Sequence, residues 1–308
     1  MVRLRRSLPG VSCDVFAKLE FLNPMGSIKD RMARYVVQEA QKSGAIDAET
    51  CLVEASSGNT AMGLAMMAVE HGLRCRMVVR EQTSQEKLDC LRALGVELVL
   101  VDGRLPADHP ESYNRKAAAI ARETPGAFFP DQHNNRSNNE AHYRTTGPEI
   151  WRQSEGRIDV LVAGVGTGGT ISGVARYLKE QKPEVRIVGV DVEGSVFSEY
   201  FSSGSPGKPS PYLLEGLGDE EVIGCPEWDL IDEILQVSDK DAFLATRELA
   251  RSEAMLAGGS SGAALWGVRQ VAADLPAESM VVTLFPDSGA RYLSTIYNDE
   301  SMRRNGFL

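Results

Sequence analysis

Lys29 stands where a Gly-Ser turn gives way to helical spacing, in Asn23-Pro24-Met25-Gly26-Ser27-Ile28-Lys29-Asp30-Arg31. A primary amine there can attack a carbonyl to form a Schiff base and afterwards act as a base. A helix N-terminus and a neighbouring cation both favour its neutral form. Two further segments fit such chemistry. Ser56-Ser57-Gly58-Asn59-Thr60 offers hydroxyls, N–H groups and an amide that suit an α-carboxylate and a phenolic oxygen. Gly164-Val165-Gly166-Thr167-Gly168-Gly169-Thr170 follows an apolar run and opens a helix, so its backbone N–H groups can cradle a phosphate. This loop lacks the Gly-Lys-Ser/Thr of a P-loop, and the spacing and acidic partner of a dinucleotide fingerprint. Each segment has a plainer reading: a surface lysine, an N-cap box, a strand-to-helix turn. Together, in this order, they are the parts a carbonyl-bearing, phosphorylated cofactor requires.

The elements that must position these groups alternate along the chain. Residues 15–20 have strand character, 30–43 helical spacing closed by Gly44, and 51–54 a short apolar run leading into the Ser56 turn. A helix rich in alanine and methionine is expected over 60–71, then a strand over 76–79, a helix over 85–94 and a strand over 97–101. Further on come a strand at 160–163, a helix at 171–181 and strands at 186–190 and 280–285. Strands separated by helices of this length predict βαβ units and parallel sheets. Residues 104–112 and 202–211, rich in Pro, Gly and Ser, read as loops.

Composition narrows the function classes. With 308 residues the chain can build two lobes, and a formal charge of -10 provides no basic excess to neutralise nucleic-acid phosphates. Five widely spaced cysteines without a CxxC pair point to neither a disulfide framework nor a metal site, and so to a reducing compartment. The start has no apolar leader, and no stretch approaches the roughly 18 apolar residues of a membrane span. A cytoplasmic protein without membrane or nucleic-acid partners is the expectation.

Taken together, the three segments make the chain similar to the fold-type II pyridoxal phosphate (PLP) enzymes, in the cysteine synthase and cystathionine β-synthase group. The resemblance runs from about Leu4 to Phe307 and is nearest to bacterial cystathionine β-synthase-like members. It implies an α/β, tryptophan synthase β-like fold of two domains, each a mostly parallel sheet flanked by helices. Residues 1–30 and 137–308 would form the larger, phosphate-binding domain, and 31–136 a smaller mobile domain carrying the substrate-carboxylate loop. By the same resemblance Lys29 is the Schiff-base lysine and Asn59 bonds the ring hydroxyl. Gly166, Thr167, Gly168, Gly169 and Thr170 hold the phosphate. Ser56, Ser57, Asn59, Thr60 and Gln132 hold the substrate carboxylate. Ser288, an ordinary turn residue on sequence alone, would face the pyridine nitrogen, and a hydroxyl there makes the ring a weaker electron sink than a carboxylate would.

The implied reaction is β-replacement on L-serine or an activated serine. Lys29 removes the α-proton, the β-substituent leaves, and a second nucleophile adds. Leu214-Glu215-Gly216-Leu217-Gly218, with Glu215 counted among the substrate-binding residues, resembles cystathionine β-synthases. So do Asp191-Val192-Glu193-Gly194-Ser195 and residues 285–292, whereas residues 145–151 are shared with cysteine synthases. Serine and homocysteine giving cystathionine is therefore the first expectation. A cysteine synthase using O-acetyl- or O-phosphoserine and sulfide, or a diaminopropionate-type synthase using an amine, are the alternatives. His133, where the group commonly has an aromatic residue, and the acidic run Asp219-Glu220-Glu221 depart from the group and leave the second substrate open. The group usually has a Gly-x-Thr-Pro segment before a sequence like Met1-Val2-Arg3-Leu4, so the start is either set late or shortened in a segment used for dimer packing. A homodimer is implied. A catalytically silent scaffold paralogue is the reading from another class, and the presence of all the chemistry-bearing residues opposes it.

Overall fold

The computed structural model describes residues 1–106 and 109–308. It divides into two compact units, one of residues 1–22 and 142–308, the other of residues 23–141.

The first unit begins with β1 (Val2–Arg3) and β2 (Asp14–Leu19), an antiparallel pair. The second unit then contains α1 (Lys29–Lys42), β3 (Cys51–Ala55), α2 (Asn59–His71), β4 (Arg74–Arg80), α3 (Gln85–Ala93), β5 (Glu97–Val101), α4 (Tyr113–Glu123) and β6 (Ala127–Phe128). Its four strands lie in the order β5-β4-β3-β6, all parallel. All five residues of β3 are buried, as expected of a parallel strand covered on both faces. Leu52, Leu64, Met67, Met77 and Leu91 fill the core between sheet and helices.

Helix α5 (Ser137–Arg144) runs across the division at residue 142. The first unit resumes with α6 (Thr146–Gln153), β7 (Val160–Gly164), α7 (Gly169–Gln181), β8 (Arg186–Val192), α8 (Phe197–Ser203), β9 (Glu233–Val237), α9 (Asp239–Ser252), α10 (Gly259–Ala272), β10 (Met280–Phe285) and α11 (Asp299–Arg304). Its six-stranded sheet has the order β1-β2-β10-β7-β8-β9, parallel except at β1. The late strand β10 enters beside β2 and β7, so the C-terminal end of the sheet gathers the loops after β7, β8 and β10. Ligands of open α/β sheets bind at that end.

Every strand and helix expected from the sequence patterns is present, with ends shifted by one or two residues. Helices α4, α5, α6, α8, α9, α10 and α11 and strands β1, β6 and β9 add to them. Residues 202–203 close α8, so the loop expected at 202–211 begins at Gly204. Of the loop expected at 104–112, residues 107–108 lie outside the described residues. All five cysteines are free thiols, with Cys90 exposed and the other four buried. Among the described residues no helix is long and apolar enough to cross a membrane.

One buried charge cluster supports the first unit. Lys18 on β2 places its ammonium 2.7 Å from the Glu149 carboxylate on α6 and 3.7 Å from Glu20. The Lys18 side chain is 7% exposed and that of Glu20 2%, so water screens little of their interaction. Replacing Lys18 by methionine keeps the stem but removes the ammonium both carboxylates share. The variant is expected to lose about 3–5 kcal/mol of unfolding free energy, measured by urea titration. A loss below about 1 kcal/mol would show that the cluster behaves as an exposed pair.

Candidate active site

In the second unit Lys29 is the first residue of α1 and is half-buried. The turn before it is held at both ends. Met25 N–H donates to Asp30 Oδ2 at 2.7 Å, Asn23 Nδ2 to the Ser27 carbonyl at 3.1 Å, and Lys29 N–H to Ser27 Oγ at 3.3 Å. The amine thus extends from a braced helix end.

The strand-to-helix turn after β3 carries Ser56, Ser57, Asn59 and Thr60. Ser56 Oγ accepts from Gly58 N–H at 3.3 Å and Ala61 N–H at 3.1 Å, so this hydroxyl braces the start of α2 and still has a hydrogen to donate. Thr60 Oγ1 donates to Gln132 Oε1 at 2.5 Å, and Gln132 Nε2 donates to the Ala55 carbonyl at 3.4 Å. Gln132, remote in sequence, is therefore seated against the Ser56–Thr60 turn. Asn59 opens α2 beside them and is half-buried.

Three residues that sequence reasoning passed over complete this picture. Glu54, 2% exposed, accepts from Ala55 N–H at 2.9 Å and Gln132 N–H at 3.2 Å. Tyr113 on α4 hydrogen-bonds Ser57, and burial pushes its hydroxyl up to about 12. The Arg80 guanidinium lies over the Tyr113 ring, 4.9 Å from its centre. The third is His142 of the first unit, which bonds Thr146 and Thr170. A sequence signal existed for Glu54: a lone acid inside the apolar run Cys51-Leu52-Val53-Glu54-Ala55. Tyr113 and His142 carried none.

In the first unit the loop after β7 runs into α7, which starts at Gly169. Gly168 has φ +78°, and a Cβ there would lie 2.4 Å from Pro226 Cγ, so no other residue fits without displacement. A left-handed turn entering a helix N-terminus is a backbone able to receive an anion. Thr167 is buried in it. His142, fully buried, bridges Thr170 Oγ1 (3.1 Å from Nε2) and Thr146 Oγ1 (2.9 Å from Nδ1), so Thr170 is oriented from behind.

Two glycines of this loop have a second reason to be glycine. A Cβ on Gly166 would stand 2.3 Å from the Gly216 carbonyl oxygen, and one on Gly164 would stand 2.3 Å from Leu217 Cδ2. Gly218 N–H also donates to the Val165 carbonyl at 2.8 Å. The 216–218 segment is thus laid directly on the loop after β7. Glu215 is exposed at its start. Leu213 and Leu214 N–H groups are held by the Asp239 carboxylate at 2.7 and 2.9 Å, and Asp219 N–H by Ser195 Oγ at 3.2 Å. Asp191, fully buried at the end of β8, anchors that last turn through Val192 and Ser198 N–H groups, and burial raises its carboxyl to about 6.

Ser288 follows β10 and caps a short 3-10 turn, its Oγ accepting from Ala290 N–H at 3.3 Å. Its own hydrogen is left for an acceptor, as an unprotonated ring nitrogen would be. Asp287, next to it, accepts from Tyr292 Oη at 2.7 Å through Oδ2.

A family described as pyridoxal-phosphate dependent enzyme matches residues 1–287. The chain belongs to that family. Among curated relatives, cystathionine beta-synthase of Apis mellifera is 40% identical over 97% of this chain and 59% of its own length. Cystathionine beta-synthase of Oryctolagus cuniculus is 39% identical over 97% of this chain and 54% of its own. The chain therefore spans little more than half of these relatives. Among solved structures, an O-acetylserine dependent cystathionine beta-synthase from Helicobacter pylori is 36% identical with a TM-score of 0.87, covering 96% of this chain and 95% of that one.

The residues present suit the cofactor of a pyridoxal-phosphate dependent enzyme. The Gly168 turn at the α7 N-terminus can accept its phosphate, the Ser288 hydroxyl keeps a hydrogen for a ring nitrogen, and Lys29 offers an amine for its carbonyl.

Proposed function

We propose that this chain catalyses PLP-dependent β-replacement on L-serine or an activated serine, with homocysteine as the incoming thiol and cystathionine as product. The observation that carries this reading is the likeness over nearly the whole of both chains to the O-acetylserine dependent cystathionine beta-synthase from Helicobacter pylori.

When bound, PLP supplies a carbonyl carbon that takes the amino acid's amine and a ring that draws electron density from its α-carbon. Lys29 holds the cofactor between turnovers, takes the α-proton at Nζ and later returns it. Backbone N–H groups of Gly166, Thr167, Gly168, Gly169 and Thr170 hold the phosphate, with Thr170 oriented by His142. Asn59 bonds the ring hydroxyl. Ser288 donates to the ring nitrogen without protonating it, which limits the electron density the ring absorbs and favours prompt loss of the β-substituent. Ser56, Ser57, Asn59, Thr60 and Gln132 orient the substrate carboxylate. Glu215 meets the second amino acid, its charge suited to an ammonium group.

The assignment of residues 1–30 and 137–308 to phosphate binding, and of 31–136 to a mobile substrate domain, belongs to the same proposal. So does a cytoplasmic homodimer acting on small amino acids, without nucleic-acid partners. Supporting it are the charge of -10 and the five free thiols. Size-exclusion chromatography with light scattering tests the dimer.

Visible absorbance of the purified holoenzyme tests the reaction. L-Serine or O-acetylserine alone is expected to shift the band, homocysteine to restore it, and mass spectrometry to find cystathionine. If sulfide is consumed faster than homocysteine, the chain is a cysteine synthase. If neither donor shifts the band, β-replacement on serine derivatives is wrong.

A further inference from the structure

Glu54 is a buried carboxyl that none of the steps above uses. It lies one residue before the end of β3, inside the second unit's sheet, and is 2% exposed. Its two oxygens face different segments. Oε1 accepts from Ala55 N–H at 2.9 Å, at the entrance to the Ser56–Thr60 turn, and Oε2 from Gln132 N–H at 3.2 Å. Gln132 is fixed on three other sides, by Thr60 Oγ1, the Ala55 carbonyl and Asn138 Nδ2, which donates to the Gln132 carbonyl at 3.0 Å. The backbone just before it is bent into the left-handed region, Asp131 having φ +48°. A non-glycine residue holds that conformation when its surroundings enforce it.

We propose that Glu54 is a positioning residue for the substrate carboxylate: in its neutral form it joins the Gln132 turn to the Ser56–Thr60 turn, and its ionisation weakens carboxylate binding. This rests on the reading that Ser56, Ser57, Thr60 and Gln132 hold that carboxylate. The electrostatic reason is direct. A negative charge directly behind groups that bind an anion opposes the anion, and burial leaves little water to screen it. Burial raises the Glu54 carboxyl to about 8, with Asp131 pushing in the same direction and the Ala55, Gln132 and Asp131 N–H groups opposing. The other ionisable groups facing it are Tyr113 from α4 and, through that ring, Arg80 of β4. Below about pH 8 Glu54 is neutral, and above it the charge appears.

The test measures, on the holoenzyme, the dissociation constants of L-serine and of L-serinamide, which has no carboxylate, from pH-dependent absorbance titrations. Wild-type affinity for serine is expected to fall by up to about tenfold per pH unit above pH 8, relative to serinamide. Glu54→Gln, which removes the charge but can accept from only one of the two N–H groups, is expected to lose this limb while retaining the cofactor. The substrate amine titrates alike in both proteins, so the difference isolates Glu54. Glu54→Asp, too short to span both N–H groups, is expected to raise KM at every pH with kcat little changed, and serves if the glutamine variant fails to fold. If serine binds better than serinamide but Glu54→Gln keeps the alkaline limb, or wild type shows none, the Glu54 inference falls and the carboxylate reading stands. If serine and serinamide bind equally at every pH, the carboxylate reading itself falls.

Discussion

Replacing Lys29 by alanine is expected to lower turnover by about 10²–10⁴-fold or more, while the protein remains folded. The side chain carries no core packing that the fold requires: Lys29 is half-buried, and the buried positions of α1 are Asp30, Met32, Ala33, Val36, Val37 and Ala40. The turn that precedes it is held by Asp30, Ser27 and Asn23. Circular dichroism should therefore be unchanged. The cofactor is expected to remain bindable, since its phosphate site lies on other residues, but to be lost more readily on dialysis. Steady-state assays of the variant alongside its retained visible absorbance separate the two effects. Activity within tenfold of wild type would overturn the role assigned to Lys29.

The second large effect is expected at Gly166. A Cβ at this position would lie 2.3 Å from the Gly216 oxygen and 3.2 Å from its carbonyl carbon. Both are backbone atoms, so no rotamer change relieves the clash. Either the phosphate loop or the 216–218 segment must move. Gly166→Ala is expected to cost about 1–3 kcal/mol of stability and to weaken cofactor binding at least about tenfold, since a misplacement worth 1.4 kcal/mol suffices. Gly164→Ala is the informative companion. Its nearest clash, also 2.3 Å, is with Leu217 Cδ2, the far end of a flexible side chain. That leucine can turn away, so the companion should bind the cofactor much more nearly like wild type. Cofactor titration and thermal melting of both variants check this. Equal effects from the two substitutions would mean that close backbone approach is not what Gly166 supplies.

The same pair shows where reading the chain by itself reaches its limit. Four glycines among residues 164–169 suggest an anion cradle, and the Gly168 turn at the start of α7 has that geometry. That Gly164 and Gly166 also seat a segment some 50 residues further on is invisible in any local pattern. It follows from the packing of the loop after α8 onto the loop after β7. Glu54 repeats the lesson. As a lone acid in an apolar run it is conspicuous, but its use depends on Gln132, 78 residues away. His142 gave no sign at all, because a histidine on a short helix looks the same whether it faces water or bridges two threonines.

Local residue types and spacing by themselves determined the βαβ rhythm, the placement of Lys29 and Asn59 at helix starts, and the glycine loop that opens α7. They could do so because helix caps, strand runs and glycine turns are set by contacts within a few residues. Tertiary structure alone decided which residues support those groups: Glu54 and Tyr113 behind the Ser56–Thr60 turn, His142 behind Thr170, and the 216–218 segment on the phosphate loop. Such contacts join segments distant in the chain, and burial, which sets the charge of Glu54 and Asp191, exists only once the sheets and helices have closed around them.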